Sequence, residues 1–143
     1  QYIMSNLEFS NNGLIDSLTH APAPDVFLTN LSREYAGASR EKRVLSILSI
    51  RPSSPQELTE TQLISMARVI VRHLRLGEYF SRISEDGFWV AVKGDQGATS
   101  KLAKRILEDS QENKWRTSII ECAPSQSFEQ WLSLSDQAHF SIS

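Results

Sequence analysis

The sequence predicts an α/β (α+β) domain in which helices pack on a mostly antiparallel sheet. Three observations carry this expectation. Segments with a 3.6-residue apolar period alternate with short β-rich runs, in the order helix, strand, helix, hairpin of two strands, helix, strand, helix. The pair Asp86-Gly87 sits between two apolar runs, a local signal for a β-hairpin turn. The run Phe88 to Val92 is apolar at every position, as a central strand covered on both faces requires.

The elements follow in order. Residues 1–15 are polar and weakly patterned, and are expected to be a lead-in from an upstream domain; a start at Gln1 rather than Met points to a piece of a longer protein. The stretch Ala21-Pro22-Ala23-Pro24-Asp25 opens the first helix, since proline is tolerated in a first turn and an acid there favours the positive helix end. Phe27, Leu31 and Tyr35 lie on one face, and Gly37 is expected to end the helix. A strand over 44–50 is stopped by Arg51-Pro52-Ser53-Ser54-Pro55. Thr59 and Gln62 form a capping box for the next helix, whose stripe is Leu63, Met66, Ala67, Ile70 and Leu74 and whose end is placed at Gly77. Hairpin strands are expected over 78–83 and 88–92. A helix through Ala98, Leu102 and Ile106 to about Asp109 follows, then a strand over 115–122. Ser127 and Gln130 form a second capping box, before a helix with Phe128, Trp131, Leu132 and Ala138 inward.

Composition narrows the function. The chain has 143 residues, enough for one domain with a substantial core. Fifteen Lys and Arg stand against seventeen Asp and Glu, so no basic excess drives binding to a nucleic-acid backbone. The single cysteine, Cys122, forms no internal disulfide and fits a reducing compartment. Residues 1–18 hold no Lys or Arg and no long apolar run, so they are no secretory signal. No stretch is apolar for the length a membrane helix needs. The histidines at 20, 73 and 139 fall on separate elements with no ligand spacing around them, and no Ser/His/Asp grouping stands out.

Four motifs in register resemble the GGDEF-domain family, the bacterial diguanylate cyclases. Arg82-Ile83-Ser84-Glu85-Asp86-Gly87-Phe88 is similar to the family's signature hairpin, an Arg and a spacer before Gly-Gly-Asp-Glu-Phe. Asp16-Ser17-Leu18-Thr19 resembles its opening Asp-x-Leu-Thr. Phe27-Leu28 falls at the place of a Phe-Leu in its first helix. Ser135-Asp136-Gln137-Ala138-His139-Phe140 resembles its closing Ala-Asp-x-Ala-Leu-Tyr. The resemblance covers residues 16 to 140 and implies a domain over 16–143 with a ferredoxin-like, nucleotidyl-cyclase-like core. It also implies condensation of two GTP into cyclic di-GMP with Mg²⁺ between two such domains.

Departures from the family pattern fall on its site. Ser49 stands where the family carries a metal-binding Asp, and a neutral hydroxyl is a poor ligand for a hard cation. Asp86 keeps one acidic position, but Gly87 replaces the next acid, and Ser84 and Glu85 replace the two glycines that admit phosphates. The segment from Arg51 to Leu58 is shortened and holds no Asn to read guanine, with Glu60 only near the second guanine contact. The phosphate-binding Lys falls at Ser143, and the Gly and Asn-Arg after the opening motif are His20 and Ala23-Pro24.

The expectation is therefore a catalytically inactive GGDEF-like domain, a regulatory or dimerisation module in cyclic di-GMP signalling. Asp86 is a remnant, and neither metal nor cofactor is expected; Mg²⁺ and GTP enter only with residual cyclase activity, the alternative reading. A second alternative is a cyclic di-GMP receptor. Arg75 and Glu78 stand at the spacing of the family's inhibitory Arg-x-x-Asp, and Arg suits phosphate and guanine. Expected partners are adjacent domains, a second copy and weakly bound cyclic di-GMP, in the cytoplasm or tethered to the inner membrane by other parts of the protein. Simpler readings stand beside these. Asp86 is good turn chemistry, Arg75 and Glu78 suit a helix end and a strand start, and Arg68, Arg72 and Arg75 suit a solvated face. Cys122, Trp89, Trp115 and Trp131 suit a core.

Overall fold

The structure, a computed structural model, describes residues 13–110 and 114–141. The elements are α1 (Pro24–Glu41), β1 (Ser46–Pro52), a 3₁₀ turn (Pro55–Glu57), α2 (Glu60–His73), β2 (Tyr79–Ser84), β3 (Gly87–Val92), α3 (Gln96–Ser110), β4 (Trp115–Glu121) and α4 (Phe128–Ser141). The strands form one sheet in the order β2-β3-β1-β4, every neighbouring pair antiparallel. β1 and β2 thus run the same way with β3 between them, joined by the crossover through α2. Residues 1–12 of the expected lead-in, and Ser143, lie outside the described residues. No helix of the described residues is long and apolar enough to cross a membrane.

Strand alternation splits the core in two. Leu48 and Ile50 of β1 and Phe88, Val90 and Val92 of β3 face one layer with Leu63, Met66 and Ile70 of α2 and Leu102 and Ile106 of α3. Ile47, Trp89 and Ala91 face the other, against Phe27 and Leu31 of α1 and Trp131 and Leu132 of α4. β3 is buried at all six positions, as its uninterrupted apolar run predicts. Both capping boxes form. Thr59 Oγ1 accepts from Gln62 N at 3.2 Å while Gln62 Oε1 accepts from Thr59 N at 3.0 Å. Ser127 and Gln130 repeat the exchange at 3.1 and 3.0 Å.

Several boundaries differ from expectation. α1 runs through Gly37 to a left-handed cap at Lys42 (φ 57°). A helical glycine costs only about 1 kcal/mol, and one more turn buries Ala38. β1 starts two residues late and runs on through Arg51 and Pro52, which pair with Arg116 and Trp115 of β4. Pairing with β3 has ended at Ile50, so Pro52 lacks no bond on that side. α2 stops at His73, and Gly77 (φ +85°) sits in the turn before β2, so Arg75 is beyond the helix rather than on its face. The hairpin strand over 78–83 is Tyr79–Ser84, the turn is Glu85-Asp86, and Gly87 already belongs to β3 without a positive φ. On α4 the buried side chains are Trp131, Leu132, Ser135 and His139, with Phe128 and Ala138 only half-buried. Two of those four side chains are polar, and apolar periodicity cannot see them.

Candidate functional site at the β2–β3 hairpin

The hairpin is held from behind by one arginine. Arg82 Nη2 and Nε donate to the Glu85 carbonyl at 2.6 and 3.1 Å, fixing the turn. Its Nη1 donates to Asp16 Oδ1 at 3.1 Å and Oδ2 at 3.3 Å in a buried ion pair. Asp16 also accepts from Thr19 N (2.8 Å) and Thr19 Oγ1 (2.7 Å), so the segment before α1 and the hairpin share one polar knot.

The front of the hairpin meets β1 and α4. Asp86 Oδ2 accepts from Arg51 Nη2 at 3.1 Å. Arg51 Nη1 donates to the His139 carbonyl at 3.2 Å, and the guanidinium carbon lies 5.4 Å from the centre of the Phe140 ring. Ser84 Oγ is 2.8 Å from His139 Nε2 and donates to Asp86 Oδ1 at 3.4 Å. The imidazole itself is completely buried, edge-on to Trp89 at 6.2 Å. Burial, then the Arg51 charge, drives its pKa down to about 3, with Asp86 pulling the other way. His139 is therefore neutral at physiological pH.

Gly87 exists for this contact and not for turn conformation. A Cβ there would lie 2.5 Å from His139 Cε1, 2.7 Å from His139 Nε2 and 2.8 Å from Arg51 Cγ. Neither neighbour can retreat, because His139 is fully buried on the inner face of α4 and Arg51 is pinned at both amino groups. Gly87→Ala is expected to lower stability by about 1–3 kcal/mol, an overpacking cost. Urea unfolding would show it, and adding His139→Ala should relieve part of the loss; identical losses with and without His139 would refute the steric account.

A groove of about 330 Å³ runs between the turn and the start of α2, lined by Leu18, Leu58, Glu60, Arg82, Glu85 and Asp86 among others. Three acidic residues line it, and its one arginine is committed to Asp16 and the turn. The residues do not fit Mg²⁺. Asp86 already faces a guanidinium, and Ser49 lies buried within β1 opposite Trp89 and Ser118, offering a neutral hydroxyl. Among the described residues no three His, Cys, Asp or Glu side chains cluster to hold a metal.

Arg75 and Glu78 sit at the far end of β2, roughly 20 Å of strand from Asp86, and they bind each other. Arg75 Nη2 and Nε donate to Glu78 Oε2 at 2.8 and 3.2 Å, and Arg75 N to Oε1 at 2.9 Å. Burial pushes the Glu78 carboxyl up, but the Arg75 guanidinium and N–H together with the Lys93 N–H outweigh it, and its pKa falls below the ordinary value. Cys122 and the three tryptophans pack in or against the cores, as expected of them. Reading the sequence missed Arg51 and His139. The one available sign was a histidine where the family's closing motif carries Leu.

An antiparallel β2-β3-β1-β4 sheet between two helical layers, with a hairpin projecting beside α2 and α4, defines a nucleotidyl-cyclase-like fold. Solved structures place it more closely: the chain has the fold of GGDEF domains. It superposes on the GGDEF domain of DgcB from Caulobacter crescentus, in complex with cyclic di-GMP, with a TM-score of 0.77 at 14% identity, covering 93% of this chain and 91% of that one. The GGDEF domain of TpbB (YfiN) from Pseudomonas aeruginosa gives 0.75 at 22% identity over 90% and 87%. The diguanylate cyclase SiaD from Pseudomonas aeruginosa, in complex with its activator SiaC, gives 0.76 at 15% identity over 90% of this chain and 57% of that one. No protein-family model and no curated protein sequence matches the chain.

Proposed function

We propose that this chain is a GGDEF-like domain of cyclic di-GMP signalling that does not condense GTP and serves as a regulatory or dimerisation module. The observation that carries the reading is the Arg51–Asp86 ion pair at 3.1 Å, in a corner closed by His139. Condensing two nucleoside triphosphates needs an electrophilic cation on the phosphates and room beside it. Here the hairpin carboxylate faces a fixed guanidinium, glycine is replaced at 84 and 85, and the adjoining groove is lined by acids. The fold framework around this corner is complete, which supports a role in contacts rather than chemistry. SiaD, held with an activator protein, is a fold relative that works with a protein partner. At the other end of β2, a ligand phosphate reaching Arg75 would compete with the Glu78 carboxylate already on its fork.

The test is incubation of the purified chain with GTP and Mg²⁺ or Mn²⁺, with product analysis by chromatography. No cyclic di-GMP is expected. Turnover that Asp86→Asn abolishes would overturn the proposal in favour of a working cyclase.

A further inference from the structure

We propose that Arg51 is a built-in counter-ion at the hairpin: it occupies the place of a bound cation at Asp86 and latches the end of α4 to the β2–β3 turn. The inference rests on the reading of the chain as a non-condensing domain and deepens it. Three features that each attract positive charge converge where the guanidinium lies. One is the Asp86 carboxylate, accepting from Nη2 at 3.1 Å. Another is the His139 carbonyl, accepting from Nη1 at 3.2 Å; it belongs to the last turn of α4, at the negative end of the helix dipole. The third is the face of Phe140, 5.4 Å from the guanidinium carbon.

The planar fork of arginine serves both oxygen acceptors at once, which a lysine ammonium on its flexible stem does not. Arg51 reaches this point because β1 continues two residues beyond its pairing with β3, and its side chain is only 12% exposed. Ser84 Oγ, 2.8 Å from His139 Nε2, adds a second tie between the same hairpin and the same helix turn. The latch therefore spans β1, the hairpin and α4, and it needs no metal. A divalent ion approaching Asp86 would meet the charge of a guanidinium that has two further partners.

The experiment is a double-mutant cycle with Arg51→Met and Asp86→Asn on the whole chain, read by thermal unfolding and by amide hydrogen exchange. Each single variant is expected to lose about 3–6 °C in Tm, and the double variant to lose clearly less than the sum. Exchange should rise in residues 84–87 and in the last turn of α4 together when Arg51 is changed. In wild-type protein, Mn²⁺ at 1 mM should leave the amide signals of 84–87 unbroadened. Additive losses in Tm, faster exchange confined to the hairpin, or Asp86-dependent broadening by Mn²⁺ would each overturn the latch. Should Arg51→Met fail to fold, Arg51→Lys takes its place in the cycle, keeping the charge and losing the fork. Additive losses in a protein inert towards GTP would sink the latch alone; turnover in a protein with coupled losses would sink the functional reading alone.

Discussion

Asp16→Ala is expected to remove about 3–5 kcal/mol of stability, the cost of breaking a buried ion pair from one side. The Asp16 side chain is fully buried and that of Arg82 is 8% exposed, so the guanidinium would be left charged with little access to water. Thr19 would lose the acceptor of both its N–H and its hydroxyl. Arg82 also clamps the Glu85 carbonyl, and the damage should spread to the hairpin turn. Urea unfolding gives the measurement, with an unchanged slope marking a true stability loss. Asp16→Asn, which keeps an acceptor oxygen, should lose less than Asp16→Ala. Pairing Asp16→Leu with Arg82→Met should cost less than either change alone, because no unpaired charge remains. A loss below about 1 kcal/mol in Asp16→Ala would mean that Arg82 finds water in solution, as exposed pairs do.

The second large effect is acid sensitivity set by one imidazole. In the unfolded chain His139 titrates at its ordinary value of 6.5, while burial, aided by Arg51, lowers it to about 3 in the folded protein. Between those values the unfolded state binds a proton that the folded state refuses. The contribution of neutral His139 is therefore complete above pH 6.5 and is lost as pH falls towards 3. The slope approaches about 1.4 kcal/mol per pH unit, on the order of 4–5 kcal/mol across the window. Glu78 and Asp109, whose carboxyls lie below their ordinary values, add to acid loss only within and below the carboxylate range. Urea midpoints at pH 7, 6 and 5 isolate the imidazole. Wild type should weaken steadily over that interval, and His139→Gln should follow a flatter line from a lower starting point. Parallel lines would show that His139 gains water and protonates freely in the folded state.

These two effects mark where local sequence stops being informative. The order of elements was readable because each carries its own signal within a few residues: the Thr59/Gln62 and Ser127/Gln130 boxes, the apolar stripe of α2, the unbroken apolar run of β3. The hairpin was readable to within one residue from Asp86-Gly87, although the turn is Glu85-Asp86. The motifs in register, and the changes at Ser49, Ser84, Glu85 and Gly87, were also plain in one dimension, and they point to the GGDEF fold that the structural comparisons show.

What holds the corner together was not readable. Asp16 meets Arg82 across 66 residues, Arg51 meets Asp86 across 35, and Ser84 meets His139 across 55. A periodicity of two or 3.6 says which face a residue takes, not which distant side chain waits there. His139 and Ser135 are polar, so their place on the buried stripe of α4 leaves no mark in an apolar pattern. Gly87 reads as a turn glycine, yet its missing Cβ makes room for His139. Short-range pattern specifies the scaffold and the residues that differ from the family's site, whereas the closed layers bring a guanidinium and an imidazole into that corner. Element type follows from short-range periodicity and capping, whereas charge pairing and steric fit depend on distances that exist only once the layers have closed.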